Sequence, residues 1–500
     1  MQLSARSPLA ALALTLAAAC DPGVLGEPDA TTDTPVVTDT PIDTRPIESC
    51  PVSGTTFNPS LVVNDPTTLA RFSFARVMDR IRATASIGAG QTSRALYQQW
   101  MRTFDASTAT GDCDDPTVDP EHFGLACPRV AESKLAAVDP FLPGGGAIEF
   151  VPLGLFNRFD LAPADGRHCG EYRIVFAMQS RTPSIAGRAL IIFEGALPTP
   201  TPGAGVDACL PVARFWQALS TDPSPTSRAD KLERFYFDGT AVPGFPPVVA
   251  AHSYGLALGA TAAHGAGQVR TNFFIDSIEW QLREFKLRRT CGDSSDPSTC
   301  RLAFAHVTVK DNPGEELFTG GHPKSASFRS QFVAQVSRLT GASVNALSIA
   351  PADQFNEYES VSSRAEVNYN QFAFEPMPSE LQAKLRQLGS PLTPADILNR
   401  ATTQTCAGCH QPSSNVPLGG GLVWPASLEF THIDENHRLS PALTTAFLPR
   451  RRIILEAFIN ARCAPDTARV VGELDLGPAA IAAAIADGRT VGGSPVGAPN

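Results

Sequence analysis

The most specific chemical pattern in the chain lies near its C-terminus, in the run Cys406-Ala407-Gly408-Cys409-His410. Thiols at this spacing lie about one turn apart, so both can form thioether bonds to the vinyl groups of one haem while the adjacent imidazole binds the iron. With 11 Cys and 9 His in 500 residues, chance would produce on the order of 0.004 such runs. The motif therefore predicts one covalent haem c held by Cys406, Cys409 and His410.

The same residues also permit interpretations without haem. Cys406 and Cys409 could form a local disulfide with His410 as a bystander, or either thiol could pair with Cys463. A zinc or other metal site is a third alternative, but a structural zinc site of the usual kind has a second ligand pair, which is not evident in the sequence. The sequence leaves these alternatives open.

The segment around the motif resembles the cytochrome c family. Thr393 can cap a helix that has Pro394 at its first position and runs into the motif. A glycine-rich loop follows, and then a predicted helix over Arg450–Arg462 that contains the aromatic Phe458. The resemblance covers about residues 390–475 and implies a small all-α domain that exchanges electrons with an unknown redox partner protein.

The second iron ligand is the point at which the chain departs from this family. Cytochromes c usually supply a distal Met from downstream of the motif, and no Met follows Met377 in this sequence. The remaining options are His432, His437, Met377 from upstream, or an open iron site. Because Phe430 and Ile433 flank His432, we expect His432 to be better placed than His437 for burial beside a porphyrin.

The N-terminus has the pattern of an export signal. Residues 1–19 contain the apolar run Pro8–Ala19, which is too short to span a bilayer permanently. The run Leu16–Cys20 resembles a bacterial lipobox, and the alternative is an ordinary signal peptide with a chance cysteine. The lipobox implies a lipid-modified Cys20, a Thr/Pro/Asp-rich tether over 20–50, and a location in the cell envelope, on the periplasmic or outer-surface side of a bacterial membrane.

The overall composition describes a loop-rich globular protein. Hydrophobic residues make up 43% and charged residues 18%, with 43 Pro and 39 Gly, which excludes disordered, collagen-like and coiled-coil classes. The net charge is −10, so the chain has no basic footprint for nucleic acid. An Ala/Gly-rich tail over 476–500 ends the chain.

Residues 51–375 are expected to form an α+β body of unknown role with a largely antiparallel sheet. In Glu171–Phe176 alternate residues are apolar, which is typical of a strand with one buried face. A similar alternation over Ile278–Arg283 then slips in phase. The slip predicts a one-residue β-bulge near Arg283 and Glu284.

Export also accounts for the number of cysteines. Besides Cys20 and the two motif cysteines there are eight, an even number that favours disulfides in an exported chain. Cys291 and Cys300 bracket one hydrophilic loop, and Cys113 and Cys127 bracket another, so each pair is expected to form a bridge. The connectivity of the others cannot be read from the sequence.

Two functions from other classes compete with electron transfer. The first is a disulfide-rich binding or structural lipoprotein of the cell envelope without a cofactor. The second is a serine hydrolase, because Ser253 within Ala251–Gly255 superficially resembles the nucleophile elbow. The α/β-hydrolase elbow follows alternating strands and helices, and the preceding residues have no such pattern, so Ser253 is the weaker candidate.

Overall fold

Antiparallel pairing organises the sheet at the centre of the protein. The computed structural model describes residues 60–105, 128–142, 146–183, 185–201, 203–257, 264–275, 279–362 and 368–463. Seven strands follow one another in sequence order and the eighth pairs with the sixth, always antiparallel. The strands are Val62–Val63 (β1), Ile148–Arg158 (β2), His168–Ser180 (β3), Gly187–Pro198 (β4), Gln268–Ile275 (β5), Gln281–Cys291 (β6), Cys300–Val307 (β7) and Ser360–Val361 (β8).

The α-helices before β2 and after β4 flank this sheet, so the predicted α+β class with a largely antiparallel sheet is confirmed. The α-helices are Pro66–Leu69 (α1), Phe74–Ala83 (α2), Ser93–Arg102 (α3), Val130–Ser133 (α4), Leu210–Leu219 (α5), Pro225–Glu233 (α6), Glu316–Thr319 (α7), Ser325–Ala334 (α8), Tyr369–Phe372 (α9), Met377–Gln387 (α10), Pro394–Thr402 (α11) and Leu448–Cys463 (α12). None of the described helices has the length and apolarity needed to cross a bilayer.

One face of the sheet is apolar and packs on α2 and α3. The ring of Phe74 contacts Phe176 of β3, with centroids 5.6 Å apart, and Trp100 stacks on Phe304 of β7 at 4.1 Å. All four rings are buried. Burial of an aromatic side chain of this size stabilises the fold by roughly 1.5–3 kcal/mol, so this face anchors the sheet to the N-terminal helices.

The opposite face of the sheet carries charged residues that are also buried. Arg173 of β3 lies opposite Glu194 of β4, with Nη1 3.1 Å from Oε1, and Arg270 of β5 lies opposite Glu284 of β6, with Nη2 2.9 Å from Oε2. Each of these residues is at most 7% exposed. Paired cross-strand charges are what make such burial tolerable.

The predicted bulge near Arg283 and Glu284 is wrong. Strand β6 pairs with β5 and β7 without a register shift. The phase slip misleads because residues 281–285 are all buried, so the alternation of polar and apolar residues does not separate an inner from an outer face. A shift occurs instead in β2 between Pro152 and Gly154, where proline has no N–H to donate to the ladder.

Two disulfides tie the described chain together. Cys291–Cys300 closes the β6–β7 hairpin, as predicted, and Cys169–Cys209 joins β3 to the turn before α5. The second bridge closes 40 residues and could not be read from the sequence. The predicted Cys113–Cys127 bridge lies outside the described residues, as do Cys50 and the Cys463 side chain.

The C-terminal segment packs against the sheet and against the turn that follows β2. The ring of Phe458 in α12 lies 4.7 Å from that of Phe159, and the Arg188 guanidinium of β4 lies 2.7 Å from the Glu435 carboxylate. The segment thus belongs to the same compact unit as the sheet. The predicted signal, tether, lipidated Cys20 and C-terminal tail lie outside the described residues.

Candidate haem and metal centre

The helix α11 delivers the cysteine motif, and a close backbone approach shapes the turn after it. Thr393 and Asp396 form a complete capping box at the start of α11. After the helix ends, the Cβ of any larger residue at Gly408 would lie 2.1 Å from the carbonyl oxygen of Thr402. Only glycine therefore fits at position 408.

Three hydrogen bonds from outside the motif hold its backbone in place. The Cys406 N–H donates to Asn312 Oδ1 at 3.4 Å, and the Ala407 N–H donates to Ser360 Oγ at 3.1 Å. The Trp424 indole donates to the Cys409 carbonyl at 2.8 Å. Asn312 and Ser360, which are more than 40 positions away in sequence, thus hold the backbone of the first two motif residues.

Both motif cysteines are free thiols. Neither Cys406, which is half-buried, nor Cys409, which is buried, is bonded to another cysteine, so the local-disulfide alternative is not what the structure contains. Burial raises the pKa of Cys406 to about 12 and that of Cys409 well above its usual value. Both sulfurs are consequently neutral at pH 7.

His410 and His432 lie side by side next to these thiols. Their ring centroids are 4.4 Å apart, and His432 Nε2 lies 3.5 Å from Cys409 Sγ. His432 Nδ1 lies 2.9 Å from Ser440 Oγ, which directs the other ring nitrogen toward the motif. Burial lowers the pKa of His410 to about 4 and that of His432 well below its usual value, so both rings are neutral and can act as ligands.

A cavity separates the motif from the charged face of the sheet. Its empty volume is about 1130 Å³ when the part open to solvent is included. Cys406, Cys409, His410 and His432 line one side. Apolar residues of the sheet and of the C-terminal segment form much of the remaining wall: Phe156, Leu161, Val175, Leu190, Ile192, Leu282, Phe430, Ile433 and Leu443.

The cavity wall also carries more cations than anions. Five cationic side chains line it, against two carboxylates: Arg158, Arg173, Arg270, Lys310 and Arg451, against Glu171 and Asp311. Guanidinium groups recognise carboxylates through paired N–H donors. An apolar wall with arginines therefore suits a ligand that is largely apolar and has carboxylate groups.

A haem fits the attachment side of this site. Both thiols are unbonded and line the cavity with His410, whose buried Nδ1 has no hydrogen-bond partner among the residues that the structure describes. Two imidazoles on opposite faces of one iron, each with nitrogen about 2 Å from the metal, need ring centroids roughly 6 Å apart. At the observed 4.4 Å, ligation by both His410 and His432 requires the rings to separate by about 2 Å.

The other predicted site residues lie away from this cavity. His437 Nδ1 lies 2.9 Å from the Leu153 carbonyl, and Met377 is buried at the start of α10; neither lines the cavity. Ser253 is fully buried in a short 3-10 turn, and its Oγ has no hydrogen-bond partner among the described residues. This placement lacks the exposed strand-to-helix turn of a nucleophile elbow.

The sequence did not predict that arginines would line the site. Arg173 lies between Tyr172 and Ile174 in β3, and Arg270 follows Val269 in β5; charged residues next to apolar ones in a strand ordinarily indicate a solvent-facing side. Arg451 is the fourth residue of α12, a helix that was predicted from its apolar residues. Charged residues at alternate positions of several consecutive strands were the available signal.

The electrostatics of the cavity wall can be tested at Asp311. Burial raises the pKa of Asp311 to about 6, although Lys310 and Arg270 oppose this shift. The native state thus holds a proton that the unfolded state releases near pH 4, so Asp311 lowers the stability of the parent as pH rises from about 4 to 6. Asp311 also has a φ of 58°, which asparagine tolerates.

We expect Asp311→Asn to raise the free energy of unfolding by about 1–3 kcal/mol at pH 7, and by almost nothing at pH 4. Urea unfolding of the two proteins across this pH range measures the difference. A constant difference between pH 4 and 7 would contradict a raised pKa for this carboxyl.

Comparison with protein-family models, with curated proteins and with solved structures found no match to this chain.

Proposed function

We propose that the protein binds one covalent haem c and transfers electrons. The observation that carries this proposal is the meeting of two unbonded thiols and a neutral imidazole, in the Cys406 to His410 motif, at one large cavity. A disulfide would have consumed both thiols. A protonated imidazole would have no lone pair for iron.

Each residue of the site has a defined role in this proposal. Cys406 and Cys409 would hold the haem through thioether bonds, His410 would bind the iron, and His432 is the described residue best placed to provide a second ligand. The bound haem would supply reversible one-electron chemistry. The protein would contribute the apolar walls that exclude water, and the cavity arginines would offer partners for the haem carboxylates.

The location proposed for this activity is the cell envelope. Cys20 would carry the lipid anchor, and the tether over 20–50 would connect it to the body. We also propose a fold resembling cytochrome c over about residues 390–475. The role of the body over 51–375 would include lining the haem cavity, because β2 to β6 provide much of its wall.

Covalent attachment can be tested with full-length protein matured in cells that attach haem c. We expect a haem stain that persists on a denaturing gel, and a Cys406→Ser, Cys409→Ser double variant that loses it, because no thioether can then form. His437→Ala is a suitable control, since its ring binds the Leu153 carbonyl outside the cavity. A parent protein without stain, or a double variant with full stain, would refute the proposal.

A second candidate function is the binding of a single transition-metal ion. The ligand atoms of Cys409, His410 and His432 lie within 4.8 Å of one another, and all three residues are buried. This is the spacing of a mixed sulfur and nitrogen site, which suits zinc or copper. Elemental analysis of the purified protein separates the candidates: haem predicts one iron per chain, whereas this alternative predicts about one zinc or copper and no Soret absorbance.

A further inference from the structure

Two buried arginines of the cavity wall share one carboxylate. Arg158, which is fully buried at the end of β2, donates from Nε and Nη2 to both oxygens of Asp160 at 2.9 to 3.1 Å. Arg451 of α12 approaches the same carboxylate only loosely, with Nε 3.9 Å from Oδ1. Arg158, Asp160 and Arg451 together form what we call the corner, which holds two positive charges against one negative charge.

The acceptors among the described residues do not satisfy every donor group of this corner. Arg158 Nη1 is buried and has no hydrogen-bond partner among the described residues. Asp160 already accepts three hydrogen bonds from Arg158, so it offers Arg451 only the long contact. Buried donors and charges without partners are unfavourable, and both arginines border the cavity.

Burial opposes the charge of Arg158, but Asp160, Glu171 and Glu194 outweigh it and raise its pKa. The last two carboxylates are held mainly by other arginines. Arg173 pairs with Glu171 at 2.9 Å and with Glu194 at 3.1 Å, and Arg270 pairs with Glu284 at 2.9 Å. Arg451 has only the long contact to Asp160, so an anion from outside the chain is its natural counter-charge.

Electrostatics support this interpretation of the corner. Burial lowers the pKa of Arg451 well below its usual value, and the nearby charge of Arg158 lowers it further, while Asp160 opposes the shift. A bound anion would supply the compensation that Asp160 alone does not give. Because these guanidinium groups face a cavity with apolar walls, an organic anion fits better than a hydrated inorganic ion.

We propose that Arg158 and Arg451 form a carboxylate-binding subsite of the cavity, next to Cys409 and His432. A planar carboxylate matches the paired donors of a guanidinium. The carboxylate can come from the haem itself or from a free small organic acid. The haem source rests on the proposed function, whereas the subsite does not require it.

The test uses the full-length chain in two forms, haem-free and haem-loaded, titrated with ¹³C-labelled acetate at constant ionic strength. We expect the haem-free parent to bind one acetate per chain, as measured by NMR. Arg451→Gln should weaken this binding at least tenfold. Arg451→Lys should weaken it less, because lysine keeps the charge but lacks the paired N–H donors of a guanidinium. The control is Arg452→Gln, whose parent residue pairs with Glu456 on the same helix at 2.8 Å and does not line the cavity.

The haem-loaded form identifies the source of the carboxylate. Acetate binding that disappears on haem loading means that a haem carboxylate occupies the subsite, and binding that persists means that a free acid does. Either result supports the subsite. No saturable acetate binding by the haem-free parent, or equal binding by folded Arg451→Gln, would overturn it, whether or not haem attachment is observed. Near-ultraviolet circular dichroism establishes that each variant is folded, and if Arg451→Gln is not, Arg451→Lys and the parent stoichiometry decide.

Discussion

Replacement of His432 by alanine is expected to convert the haem-loaded protein from a low-spin to a high-spin form that binds carbon monoxide. His432 is buried, its Nδ1 lies 2.9 Å from Ser440 Oγ, and its ring lies 4.4 Å from that of His410. No Met follows Met377 in the sequence, so sulfur from a downstream Met cannot take its place. With alanine at 432, the iron position opposite His410 would be open to an added ligand.

Absorption and electron paramagnetic resonance spectra measure this change directly. The parent should lack the far-red band of sulfur ligation, and its reduction potential should lie below that of Met-ligated cytochromes, because two imidazoles favour ferric iron. His437→Ala should keep the parent spectrum, since that ring lies 2.9 Å from the Leu153 carbonyl instead. A parent that is already high-spin, or a His432→Ala protein that stays low-spin, would exclude His432 as the second ligand.

Asp160→Asn is expected to reduce the free energy of unfolding by about 3–5 kcal/mol at pH 7, because it leaves two buried guanidinium groups without their shared counter-charge. Burial opposes ionisation of Asp160, but the charges of Arg158 and Arg451 outweigh it, and the pKa of the carboxyl is lowered. The ionised carboxylate thus stabilises the native state above the ordinary aspartate pKa of about 3.9. Its contribution disappears as the pH falls through the lower native pKa.

Urea unfolding of the parent and the variant at neutral and acidic pH tests both statements. Asp165→Asn is the matched control, because Asp165 pairs with Arg167 at 3.0 Å on the surface, where both side chains are more than half exposed. Such surface pairs contribute little. A loss below about 1 kcal/mol for Asp160→Asn would mean that the corner is compensated in some other way.

Local patterns in the sequence determined a definite part of this protein. The capping residues Thr393 and Asp396 fix the start of α11, and the alternation of Tyr172, Ile174 and Phe176 fixes the apolar face of β3. These features depend on neighbours within a few positions, so they can be read without the fold. The spacing of the motif from Cys406 to His410 is a covalent property of the same kind.

Tertiary structure alone decided what faces the motif. Arg173 and Arg270 are charged strand residues of the kind that usually face solvent, yet the C-terminal segment covers them and turns that side of the sheet into a cavity wall. Likewise, His432 meets Cys409 only because Ser440 and the packing of the segment orient its ring. Cross-strand register and the docking of α12 bring together residues up to about 300 positions apart, and no local pattern encodes such contacts, because their energy arises only when the distant surfaces meet.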